Sequence, residues 1–134
     1  MAGGYATFAA AGKRTEPYSV RRITHNGAAV RLTTPTARRA IGAEVAEQVS
    51  QALTDSLNTA HPTVSTARAT GKSGTTADDT AAWYTGTSGS VSTAVVVYRM
   101  DLSASLDPLP LEGIAGTPAD SVPYTVWSGA MGLD

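Results

Sequence analysis

Apolar residues recur every fourth position from Ile41 to Leu57, through Val45, Val49 and Leu53, while Glu44, Glu47, Gln48, Gln51 and Asp55 fill the positions between. This spacing predicts an amphipathic helix with a solvated polar face. Upstream, Tyr5 and Phe8 lie three residues apart among alanines, and Gly12 then breaks the pattern as a helix C-cap glycine would. No capping residue precedes that short helix, so it reads as the tail of one whose beginning lies elsewhere. Between the two helices, Val20, Ile23, Val30 and Leu32 flank Asn26-Gly27, a dipeptide suited to the positive backbone angles of a type I′ hairpin turn.

The second half changes period. Residues Thr59 to Ala67 read as a loop leading into a strand, and two further strands are predicted near Ala81 to Thr87 and Ser92 to Arg99, separated by Ser88-Gly89-Ser90. Strands this close in sequence normally pair antiparallel, so the three form a meander. Asp101 to Pro123 is rich in Pro, Gly and Asp and reads as loop, and a short helix at Tyr124 to Met131, with Val126, Trp127 and Met131, closes the chain. The pattern predicts an α+β domain: a small antiparallel sheet flanked by helices, plus one small hairpin.

Composition narrows the picture. The chain has 134 residues, enough for one core and too few for two. Of its residues 42% are apolar but only 6% aromatic, and much of the apolar content is Ala, which predicts a sparse core. The formal charge is -1, which exerts no general pull on nucleic acid or acidic membranes. Charge is nevertheless uneven: residues 1–70 hold eight Lys/Arg against four Asp/Glu, a net of +4, and residues 71–134 hold two against seven, a net of -5. We expect those halves to complement each other within the molecule, not to form a polyanion site. The absence of cysteine excludes disulfides, thiol nucleophiles and Cys-ligated metals. No apolar run is long enough to span a bilayer, and the N-terminus lacks the basic-then-apolar pattern of a signal peptide.

The candidate chemistry lies at Gly71-Lys72-Ser73-Gly74-Thr75-Thr76. Its first three residues look like the end of a phosphate-binding P-loop, but position 66 is Thr where that motif requires Gly, and the motif runs into a predicted strand, not a helix. The alternative is a Lys-Ser/Thr-Gly motif on a sheet-edge strand. In a strand, Ser73 and Thr75 point to one face, where their hydroxyls can bind a carboxylate, and Gly74 lets a substrate backbone approach closely. Other candidates are weaker. Neither His25 nor His61 has a second ligand at metal-binding spacing, Asp78 and Asp79 suit a turn, Trp83 and Trp127 suit core anchors, and Arg21-Arg22 and Arg38-Arg39 are too few for a nucleic-acid stripe.

The surrounding text resembles the transpeptidase domain of class A penicillin-binding proteins, members of the penicillin-recognising serine enzymes. Ala69 to Thr76 is similar to that family's Lys-Thr-Gly strand, Ala82-Trp83-Tyr84-Thr85-Gly86 to its next strand, and Thr93-Ala94-Val95-Val96-Val97 to the one after. Met1 to Gly12 resembles the helix following the family's Ser-x-Asn motif, and Pro123-Tyr124 with Trp127 and Met131 its closing helix, so nearly the whole chain is covered. The departures Ser73 for Thr and Tyr84 for Phe are mild.

The resemblance implies a partial β-lactamase/transpeptidase-like fold and a parent activity of serine D,D-transpeptidation on peptidoglycan stem peptides, without cofactor or metal. It implies that Lys72 supplies positive charge beside the nucleophile, that Lys72, Ser73, Gly74, Thr75 and Thr76 bind the stem peptide or a β-lactam, and that Thr75 offers one oxyanion N–H. It also implies a location on the outer face of the cytoplasmic membrane. The nucleophile itself is missing. The family uses the Ser of Ser-x-x-Lys, yet Lys occurs only at 13 and 72, three residues after Ala10 and Ala69. Ser56-Leu57-Asn58 matches Ser-x-Asn only by text, lying after the segment it should precede. The expectation is a C-terminal portion of the domain, residues 1–134, inactive alone. A non-catalytic module that binds peptides or a protein partner is the alternative. With its partner strands missing, the Ser92 to Arg99 edge is expected to recruit a complementing chain or a second copy.

Overall fold

The computed structural model describes residues 1–64, 69–103, 106–113 and 118–133. Helix α1, Ala2–Ala9, ends in a paired turn: Gly12 N–H donates to Thr7 O at 2.8 Å and Ala11 N–H to Phe8 O at 3.0 Å. This is a Schellman closure, and its left-handed position is held by Ala11 at φ 50°, not by the expected Gly12. Gly12 is required for a different reason. It has φ 83°, and a Cβ there would lie 2.3 Å from Ile41 O. The chain leaving α1 is thereby pressed against the residues that start the long helix.

Two ladders come next, and they differ in their legibility. The Asn26-Gly27 turn adopts φ 50° and 80° and joins β2, Ile23–His25, to β3, Ala28–Val30, as its composition predicts. By contrast, β1, Lys13–Arg14, pairs antiparallel with β4, Arg38–Arg39, and places Lys13 opposite Arg39 and Arg14 opposite Arg38. Like charges directly opposite are unfavourable. Two devices offset them here. Glu16 accepts from Arg14 at 3.3 Å and Arg38 at 3.1 Å, and Arg39 donates to the carbonyls of Ala11 at 3.2 Å and Ile41 at 3.1 Å.

Helix α2 runs Ala43–Ala60, three residues further than the predicted end and starting after Ile41. Its buried face differs from the apolar row. Ala46 and Leu57 are buried and Leu53 partly so, whereas Val45 is 51% exposed. The geometry explains this: a step of four residues turns about 400°, so a row at that spacing drifts by roughly 40° per step around the helix. Ile41 and Leu57 therefore cannot share one face.

The main sheet has strand order β5-β6-β7-β8, all antiparallel. Strands β5 (Ala69–Thr75), β6 (Ala81–Ser88) and β7 (Val91–Met100) form the predicted meander, with Gly89-Ser90 as the two-residue turn. A fourth strand, β8 at Pro108–Leu109, lies within the segment read as loop. It pairs only with Arg99 and Met100, so the outer edge of β7 from Val91 to Tyr98 has no strand partner among the described residues. Helix α3, Val122–Met131, begins two residues before its predicted start with Pro123 in its first turn, and ends at Gly132 in the left-handed region.

The core lies on one face of the sheet. Leu57 of α2, Ala69, Tyr84 and Trp127 of α3 form it, with Val95, Tyr124, Met131 and Leu133 packed around. Of the six apolar side chains buried among the described residues, three are Ala, so the core is as sparse as the composition predicts. His61, just past α2, stacks on Tyr124 with ring centroids 3.3 Å apart and planes 3° from parallel, and Tyr84 lies 4.8 Å from Trp127. Trp127 is the expected anchor. Trp83 is not in this cluster: its register partner is Val96, on the opposite face from Tyr84, and it is only half-buried.

Among the described residues the charged halves form no ion pair with each other: the pairs are Arg14–Glu16, Arg38–Glu16 and Arg99–Glu112, each within its own half of the chain. The expected intramolecular complementarity is corrected because the basic segment packs little against the acidic one. Every residue from Lys13 to Arg31 is exposed.

Candidate functional site

Strand β5 is the first strand of the sheet, bonded on one side only, so Lys72 to Thr75 lie on an edge among the described residues. Its register sets the faces. Ser73 is opposite Tyr84 and Thr75 opposite Ala82, so both hydroxyls lie on the face that carries the aromatic core, as period-two alternation requires. Lys72 is opposite Thr85 and points to the other face. The lysine bends back across the edge, where Nζ donates to Ser73 O at 2.9 Å and contacts Ser73 Oγ at 3.4 Å. Residues 72–75 are all exposed, and a Cβ added at Gly74 would meet nothing within 4 Å. An extended ligand backbone therefore has room along this edge.

Close packing fixes the strand just before Lys72. Gly71 and Gly86 face each other across β5 and β6, and the aromatic rings lie over them. A Cβ at Gly71 would stand 2.7 Å from the Tyr84 ring, and one at Gly86 would stand 2.6 Å from Trp127 and 2.4 Å from Thr70 O. Burial pushes the Tyr84 hydroxyl well above the usual phenol range, aided by Tyr124 and Tyr5, so Tyr84 stays neutral.

Thr76 leaves the strand. Its hydroxyl accepts from Ala81 N–H at 3.0 Å and meets Thr80 Oγ1 at 3.2 Å, closing the turn into β6. Asp78 accepts from the Thr80 hydroxyl at 2.9 Å, and hydrogen bonds from Thr76 and Thr80 hold its carboxyl below the ordinary range. Asp78 thus serves the turn, as its position suggests. Beside it, a cavity of about 300 Å³ is lined by Thr75, Asp79, Ala82, Leu111, Ala119 and Asp120. Two carboxylates at its wall repel an anionic ligand group, whereas Lys72 offers a carboxylate favourable charge where it crosses the edge.

Thr85 carries no signal in the sequence. It is 1% exposed, stands in register with Lys72 on the same face, and its Oγ1 has no hydrogen-bond partner. Only strand register brings it next to Lys72. Gly71-Lys72-Ser73 lies inside a strand that turns into another strand, which is not the setting of a P-loop. His61 is occupied by its ring stack, and among the described residues His25 meets Asn26 Nδ2 at 3.4 Å. Among the described residues no three His, Cys, Asp or Glu side chains gather as a metal site, and no helix is long and apolar enough to cross a membrane. No known family and no curated protein matches the chain.

Proposed function

We propose that this chain is a C-terminal portion of a peptidoglycan D,D-transpeptidase domain of the penicillin-binding type, in which Lys72-Ser73-Gly74-Thr75 forms the substrate-binding strand. The observation that carries the reading is the placement of this motif on an exposed sheet edge, paired residue for residue with Ala82 to Gly86 of the next strand. The helix–strand–strand–strand–helix order of α2, β5, β6, β7 and α3 is consistent with a partial transpeptidase-like fold. In this reading the stem peptide lies along β5. Lys72 neutralises its carboxylate and tunes a serine supplied from outside these 134 residues, and Thr75 contributes an oxyanion N–H.

Without Ser-x-x-Lys the chain has no acylatable centre of that type. Incubated alone with a fluorescent penicillin, it should remain unlabelled. Combined with a polypeptide bearing Ser-x-x-Lys and Ser-x-Asn of the same domain type, it should support labelling of the partner's serine, and Lys72→Ala should lower that rate by about a hundredfold or more. Covalent label on this chain alone, or labelling indifferent to Lys72→Ala, overturns the reading.

The open edge at Gly74 also favours a second reading, a non-catalytic module that binds an extended peptide by strand addition. Saturable binding of a D-alanyl-D-alanine peptide without any partner, with no acylation in the completed pair, would select it.

A further inference from the structure

We infer that the β2–β3 hairpin and its flanks form a membrane-surface docking arm for anionic lipid, an inference independent of the transpeptidase reading. Residues 13–39 contain seven Lys/Arg and a single carboxylate, Glu16, for a net of +6. The other 107 residues contain three Lys/Arg and ten Asp/Glu, for a net of -7. Glu16 is shared by Arg14 and Arg38, and Arg39 is bound to backbone carbonyls. Arg21, Arg22 and Arg31 have no acidic partner among the described residues. Among the described residues these three cations are therefore left without an acidic partner and free to meet an external anion.

The arm is also amphipathic. Ile23 and Val30 are register partners, so both project from one face, and they are 43% and 44% exposed. Tyr18 and Val20, at the root of the hairpin, are about half exposed as well. Thr24 and Ala29 occupy the other face, with Arg22 and Arg31 next to the strands in sequence. Apolar residues with a Tyr, bordered by Arg, suit the boundary of a bilayer, where aliphatic groups and the phenol ring enter the headgroup region and guanidinium groups bind phosphate. A nucleic acid would use the arginines and leave Ile23 and Val30 in water. The acidic remainder is repelled by an anionic surface, which orients the molecule with the arm towards the lipid.

The test is co-sedimentation of the full chain with phosphatidylcholine vesicles, with and without phosphatidylglycerol. Binding should require phosphatidylglycerol and weaken as salt is raised. Arg21→Ser, Arg22→Ser and Arg31→Ser together should lower the partition coefficient by on the order of a hundredfold. Ile23→Ser with Val30→Ser, which leaves charge unchanged, should lower it by about tenfold. Every substituted residue is exposed, and Trp83 and Trp127 lie in the sheet and α3, so unchanged tryptophan emission verifies the fold. Equal binding to both vesicle types, or an arginine variant that binds as well as the parent chain, overturns the inference. An apolar variant that binds unchanged, or tighter binding to duplex DNA or to a second copy of the chain, makes the arm a general anion-binding patch and also overturns it.

Discussion

Gly71 and Gly86 tolerate an added methyl group poorly, although neither has positive φ. They are opposed across two strands, and the space a side chain would fill is taken by Tyr84 and Trp127. At Gly86 the nearest obstacle includes a backbone carbonyl, which cannot rotate away. Gly86→Ala should therefore cost about 3 kcal/mol, and Gly71→Ala, opposed only by a side-chain ring, about 1–2 kcal/mol, measured as shifts in the urea midpoint. Lys72→Ala should leave stability within about 0.5 kcal/mol, because the side chain is exposed and bonds only to its neighbour. The two kinds of residue are adjacent in sequence and separate cleanly by burial. The motif itself is legible as text, but the glycine before it acquires a packing role only once the rings above it are placed.

Helix α2 illustrates what periodicity can and cannot supply. The four-residue spacing identifies it correctly, and its polar face is solvated as predicted. The apolar row misplaces the buried face because it drifts around the axis, and it gives no sign that Ala46 and Ser50 turn inward. Leu57→Ala should then cost about 2–4 kcal/mol, since this residue is fully buried in the central cluster. Val45→Ala should be neutral or slightly stabilising, because Val45 is half exposed and Ala is the better helix former. Urea titration of both variants distinguishes the two faces, and equal losses would contradict the assignment. The β1–β4 ladder is illegible in the sequence for an electrostatic reason. Four cations facing one another argue against pairing until Glu16 and the carbonyls of Ala11 and Ile41 are in place.

The assembled molecule carries two further consequences. Burial against Tyr84 and Tyr124 lowers the His61 pKa below its ordinary value of 6.5. The folded form thus prefers neutral His61, and stability present above pH 6.5 is lost as pH falls and the unfolded chain takes up the proton first. The thermal midpoint should fall as the pH drops below 6.5, and His61→Phe should flatten that fall. A separate decline belongs below pH 3.8, where Asp78 and Asp101, both held low by hydrogen bonds, become protonated. At the other end of the sheet, the outer edge of β7 is paired with a strand among the described residues only at Arg99 and Met100, while Val91 and Tyr98 are exposed. We expect self-association through this edge, visible as a concentration-dependent sedimentation coefficient and suppressed by Val91→Lys with Tyr98→Lys. A monomer at every concentration would rule it out.

Local information was sufficient for the three helices, the Asn26-Gly27 hairpin and the meander of β5, β6 and β7. Strand alternation, the Asn26-Gly27 turn and the helical spacing each rest on interactions between residues a few positions apart, which the order of side chains specifies directly. It also sufficed to place Ser73 and Thr75 on one face. Tertiary structure decided everything that depends on residues far apart in the chain: that Gly71 and Gly86 share one steric pocket, that Thr85 stands beside Lys72, and that the basic segment leaves its charge unpaired by the acidic half. The motif on β5 therefore has its chemistry written in its own residues, and its surroundings written in strands and helices that only folding brings alongside.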